Sequence, residues 1–128
     1  MKLRLLLGLA LILCVGQAQA QEYPGYVELK PFTTNFGQVQ SGPLRFVKAE
    51  VTLQVAENGS RLDVDKHLPH IRNELVFLFL EQGERDLSTI ESQSLLAQKA
   101  LNSVQRLLIE ETGAPQISDL FFTSLVAQ

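Results

Sequence analysis

The chain has 128 residues, 45 % of them hydrophobic, with 20 % charged side chains and a formal net charge of −3. That length supports one domain with a core of its own. The 14 acidic side chains are scattered and no basic block exists, which argues against nucleic acid and anionic membrane surfaces as partners.

Residues 1–20 read as a signal peptide rather than as part of the fold. Lys2 and Arg4 form a basic start, Leu5 to Gly16 is an apolar run, and Ala18 and Ala20 place small residues where a signal peptidase reads, with cleavage expected before Gln21. The apolar run is shorter than the ~20 residues of a membrane-spanning helix. The only cysteine, Cys14, lies in this run behind Leu13, so the mature chain, residues 21–128, is expected to be a single exported domain without disulfides, and not membrane-spanning.

After a polar lead-in, Tyr26 to Phe32 is expected to be a strand, with Val27 and Leu29 on one face and Glu28 and Lys30 on the other. Pro31 suits its end or a sheet edge. Thr33 to Pro43 reads as a loop. Arg45 to Ala56 alternates cleanly: Val47, Ala49, Val51, Leu53 and Val55 share one face, and Lys48, Glu50, Thr52 and Gln54 the other. Such a strand has one buried and one wet face. Asn58-Gly59 follows as a tight-turn signal, since both tolerate positive φ.

A first helix is expected from a cap at Asp65, with Pro69 in its first turn and Leu68, Ile71, Leu75 and Leu78 at helical spacing. Val76, Phe77, Phe79 and Leu80 widen its apolar surface, and Gly83 is its expected C-cap. Asp86 to Glu91 suggests a short helical turn. A second long helix is expected from Ser92, with Ala97, Ala100, Leu101, Val104, Leu107 and Leu108 on one face and a stop at Gly113 and Pro115. The segment Ile117–Gln128 reads as a closing strand. Strict alternation puts Ile117, Phe121 and Leu125 on one face and Leu120, Phe122 and Val126 on the other, so it is expected to be buried on both sides and central.

The fold class is therefore α+β: a small, mainly antiparallel sheet covered by two helices, in the order β-β-α-α-β. The order contains no assembled active site. His67 and His70 are the weak metal candidates, three apart at the start of a helix with no thiolate near and Asp63 and Asp65 as neighbouring carboxylates. Glu110-Glu111 is a further carboxylate pair that nothing marks as a positioned acid and base. No metal, cofactor or catalytic activity is expected. Phe77, Phe79 and Phe121-Phe122 are read as core.

Several segments together resemble the FliL family, flagellar basal-body-associated proteins. They are Tyr26-x-x-Leu29-x-Pro31-Phe32-x-x-Asn35, Arg45-Phe46 leading into the alternating strand, Pro69-x-Ile71-Arg72-Asn73-Glu74-Leu75, and Asp119-Leu120-Phe121-Phe122-Thr123-Ser124-Leu125-Val126-x-Gln128. The positions that carry the match are Tyr26, Pro31, Asn35, Arg45, Pro69, Ile71, Arg72, Phe122, Val126 and Gln128. The sequence departs from the family where Asn73 stands for a common Asp and Glu91-Ser92-Gln93 for a Gly-containing helix start. Its leader looks cleavable where family members usually carry a spanning helix, so it resembles a secreted variant.

The resemblance implies a stomatin/prohibitin-like fold and a non-catalytic role in the periplasm, at the inner membrane or flagellar basal body. It implies flagellar stator proteins or a membrane-anchored FliL relative as partners, self-association into a homo-oligomer, and support of motility. The alternative is a periplasmic adaptor or assembly factor unrelated to motility.

Overall fold

The computed structural model describes residues 25–37 and 44–128. The expected signal peptide with its cleavage residues Ala18, Ala20 and Gln21, and most of the expected loop, lie outside the described residues. Among the described residues no helix is long and apolar enough to cross a membrane.

The elements are β1 (Tyr26–Glu28), β2 (Phe32–Asn35), β3 (Phe46–Val55), α1 (Arg61–Lys66), α2 (Leu68–Leu80), α3 (Glu84–Ser88), α4 (Ile90–Thr112) and β4 (Ile117–Ala127). The class is α+β with an antiparallel sheet, as expected. The two long helices are α2 and α4; α1 and α3 are short additions. β3 places Val47, Ala49, Val51, Leu53 and Val55 in the core, each at most 1 % exposed. Ile71, Leu75 and Phe79 of α2 and Leu96, Ala100, Leu101, Val104 and Leu108 of α4 join the same core. Both helices thus lie over one face of the sheet, because only that face is continuously apolar.

The sheet differs from the expectation in its centre. β3 is the strand that pairs with all the others. β4 runs antiparallel along it from Val47 to Val55, using one side. β1 and β2 pair with successive stretches of the other side, Thr52–Gln54 and Phe46–Ala49. They act as one interrupted edge. From the pair Glu28–Thr52 to the pair Phe32–Ala49, the edge advances four residues while β3 advances three. The extra residue falls at Leu29–Pro31, where proline has no N–H to give the ladder. Thr33–Asn35 is therefore strand rather than loop, and Phe36 beyond it is buried (5 % exposed).

β4 is an edge strand with one buried face, not a central strand buried on both. Its register against β3 shifts at Glu50/Val51 and again at Gln54/Val55. Each shift adds a residue to β4 and breaks the alternation. Ile117, Leu120, Phe122, Leu125 and Ala127 consequently all face the same β3 positions that fill the core. Phe121 and Val126 face outward, 40 % and 49 % exposed.

The caps also move. Ser60 caps α1, its Oγ accepting the Asp63 N–H at 3.2 Å. Pro69 does stand in the first turn of α2, which starts after His67 rather than at a cap on Asp65. Gly83 caps the start of α3 instead of the end of α2, and the Asp86 carboxylate accepts its N–H at 2.8 Å. Thr89, not Ser92, caps α4; its Oγ1 accepts the Ser92 N–H at 3.0 Å. Gly113 ends α4 as expected, with φ 89°.

Candidate interaction surfaces

The ten family-match positions fall into three groups rather than one site. The first lies at one end of the sheet. Asn35 pairs with Phe46 across the β2–β3 ladder. Gln128 closes the other side of Phe46, exchanging backbone hydrogen bonds of 2.7 and 3.2 Å with it. Arg45 sits beside them. Its Nη2 donates to Glu84 Oε1 at 2.8 Å and its Nη1 to Oε2 at 3.3 Å. The same guanidinium lies 5.5 Å from the centre of the Phe36 ring. This cluster ties the start of β3 to α3 across the surface.

The Arg45 guanidinium, by its hydrogen bonds first and its charge second, holds the Glu84 carboxyl below its ordinary value of 4.5. Glu84 raises Arg45 by the same pair of causes. A carboxylate depressed in the folded state stabilises the fold above its unfolded pKa and loses that contribution as pH falls through the folded value. Glu84→Gln is therefore expected to be less stable than the parent at pH 7, with the gap closing as pH drops below 4.5. Urea midpoints across that range read it; a gap independent of pH would show that the ion pair does not contribute.

The second group surrounds a cleft of about 420 Å³ lined by Glu28, Leu29, Lys30, Leu68, Pro69 and Arg72. The edge bulge with Pro31 forms one wall and the first turn of α2 the other. Arg72 lies 5.2 Å from the Phe32 ring centre, and Ile71 beside it is fully buried. Here the match positions brace α2 against the edge strand.

The third group belongs to the sheet. Phe122 packs on Phe79, ring centres 5.8 Å apart. Val126 and Tyr26 lie on the outer face that the helices leave open, 49 % and 52 % exposed.

His67 and His70 are near-parallel, with ring centres 6.4 Å apart. His67 Nδ1 is 2.8 Å from the Asp63 carbonyl oxygen, and its Nε2 is 4.0 Å from Glu111 Oε2. Among the described residues no group of three or more His, Cys, Asp or Glu is placed to hold a metal ion. Glu110 and Glu111 border a shallow cleft between α2 and α4 of about 310 Å³, with His70, Glu74 and Arg106. Asp63 stays in the first turn of α1.

The surface the sequence concealed is apolar. Phe77, expected in the core, is 57 % exposed on the outer side of α2, and Ile90 at the start of α4 is 81 % exposed. Ile90, Ala97, Leu120, Phe121 and Phe122 line a groove of about 270 Å³ between α4 and β4. Ile90 precedes the expected cap at Ser92, so helical periodicity did not include it. Strict alternation groups Phe121 with Ile117 and Leu125, and the two register shifts break that grouping.

A family model described as "Flagellar basal body-associated protein FliL" matches residues 26–128, which covers every described element. The chain is similar to the protein named "Flagellar protein FliL" of Escherichia coli strain K12, with 23 % identity over 111 residues, 87 % of this chain and 70 % of that protein. The proteins of the same name from Escherichia coli O157:H7 and Shigella flexneri match with the same identity and coverage.

Proposed function

Because this chain belongs to the FliL family of flagellar basal body-associated proteins, we propose that it is a non-catalytic accessory of the flagellar motor, exported to the periplasm. It associates there with stator units or a membrane-anchored FliL relative and supports motility, and it self-associates. The observation that carries this reading is the family match across residues 26–128, which takes in every described element rather than one motif. The leader-like residues 1–20 support export. The exposed apolar side chains on α2, α4 and β4 suit a protein that works by contact.

The test is crosslinking in the flagellated host, followed by recovery of the chain and mass spectrometry. Stator subunits or a FliL relative are expected to be enriched, and stator subunits to be absent from a stator-deletion strain. Recovery of unrelated envelope proteins alone would sink the motor reading in favour of a periplasmic adaptor. The same spectra read the N-terminus. A terminal peptide starting at Gln21 is expected; one retaining residues before Ala18 rules that cleavage out.

A further inference from the structure

The two edges of the sheet are built differently. The β1–β2 edge is made of strands of three and four residues, interrupted at Pro31, with Glu28 and Lys30 exposed beside the break. Short strands, proline, a bulge and charge are the features that block strand addition. β4 has eleven residues, contains no proline or basic residue, and carries Asp119 as its one charge. No further strand among the described residues pairs with it.

The ladder defines what that edge offers. Phe46 and Gln128 exchange both backbone hydrogen bonds, so in an antiparallel pair the adjacent residues point their N–H and C=O the other way. On β3 these outward groups meet the opposite edge: Val51 O accepts the Leu29 N–H at 2.9 Å, and the Val55 N–H reaches Gly25 O at 3.0 Å. On β4 the equivalent residues are Ala127, Leu125, Phe122 and Leu120, the register partners of Val47, Ala49, Val51 and Leu53. Their backbone groups face away from the sheet. The Leu120 N–H is covered by Asp119 Oδ1 at 2.8 Å, which marks the end of the open stretch.

We propose that this edge pairs antiparallel with β4 of a second copy of the chain, with Phe122 opposite Leu125 and Phe121 opposite Val126 of that copy.

The self-complementarity of the segment selects a second copy as occupant. With Phe122 opposite Leu125, two-fold symmetry puts Leu125 opposite Phe122, so the open backbone groups of the two copies meet, and Leu120, whose N–H is already taken, falls opposite Ala127 at each end. Thr123 of each copy, the extra residue of the Glu50/Val51 bulge, falls beside the axis opposite Ser124 of the other, so the strand lengths stay matched. On the outer face Phe121 meets Val126 twice. These are the exposed apolar side chains of β4, and an aromatic opposite a β-branched residue is a favourable cross-strand pair. The two Asp119 residues fall at opposite ends, so no like charges oppose. The contact is isologous and closes on itself. It deepens the self-association part of the proposed function and stands on the edge geometry without the motor role.

The test uses the full chain with Cys14→Ser, which leaves no other thiol. Phe121 and Val126 are five residues apart on one strand, about 17 Å, too far for a disulfide within one chain. Phe121→Cys/Val126→Cys is therefore expected to give a covalent dimer on mild oxidation, and either single cysteine to give little. Sedimentation equilibrium provides the second reading. Phe121→Lys is expected to weaken dimerisation about tenfold or more, and Phe121→Lys/Val126→Glu to restore it through two cross-strand ion pairs. A monomeric parent at high micromolar concentration, single cysteines that crosslink as well as the double variant, or no response to Phe121→Lys would each overturn the register. None of these results bears on recovery of stator subunits, so the two proposals fail separately.

Discussion

Phe79→Ala is expected to cost about 4 kcal/mol of folding stability, the range for removing a buried aromatic ring. Phe79 is completely buried. Its ring centre lies 6.2 Å from that of Phe32 on β2 and 5.8 Å from that of Phe122 on β4. One side chain of α2 therefore touches both flanks of the sheet at once, and its loss opens a cavity that neither flank can fill alone. A domain of this size is stable by only ~5–15 kcal/mol, so the variant should unfold at a much lower urea concentration. Phe77→Ala is the control on the same helix. Its ring is 57 % exposed, and a change within about 0.5 kcal/mol is expected. Equal losses for the two variants would mean that α2 is rotated from the orientation described here.

Gly59→Ala is expected to cost about 3 kcal/mol, at the upper end of ordinary overpacking. A Cβ on Gly59 would collide with the Gln116 carbonyl oxygen and lie 3.1 Å from the Ala56 carbonyl oxygen. Neither atom is free to retreat. The Gln116 oxygen accepts the Ala56 N–H at 2.9 Å. The Gln116 side chain accepts the Ser60 N–H at 2.8 Å and donates to Thr112 Oγ1 at 3.0 Å. Gln116 itself holds φ 59°, a conformation rarely adopted outside glycine. This junction joins the end of β3, the start of α1, the end of α4 and the entry to β4. Glycine-to-alanine changes where there is room stabilise by ~0.4–1 kcal/mol, so the sign of the measured change decides the matter. A gain in thermal midpoint would show that the junction can open.

Gly59 also carries a turn signal whose physical basis is close approach rather than positive φ. Asn58-Gly59 does mark a turn, with the Gly59 N–H donating to Ala56 O at 2.8 Å. Yet neither residue has positive φ. The glycine is needed for closeness to Gln116, which is 57 positions away along the chain and carries no local signal. The His67–His70 spacing is of the opposite kind. It was visible in the sequence and survives as a near-parallel ring pair, but the Nε2 of His67 faces one carboxylate at 4.0 Å, and no cluster of ligands forms among the described residues. The three groups of match positions carry no local signal of their grouping either, because Asn35, Arg45 and Gln128 are far apart in sequence and come together through the β2–β3 ladder and the Phe46–Gln128 backbone pair.

The α+β class, the buried face of β3, the two long helices and the stop at Gly113 are all legible in the order of the residues alone. Each is a local property: alternation fixes which side of a strand is apolar, helical spacing fixes a stripe, and glycine in the left-handed region ends a helix. Long-range pairing instead set that β3 is central, that β4 is an edge strand among the described residues, and that Phe121 and Val126 face outward while Phe122 faces in. Those outcomes depend on which strands share hydrogen bonds and where two single-residue bulges fall. A bulge reverses the facing of every residue beyond it, so its position is set by pairing with β3 rather than by the pattern of β4 itself.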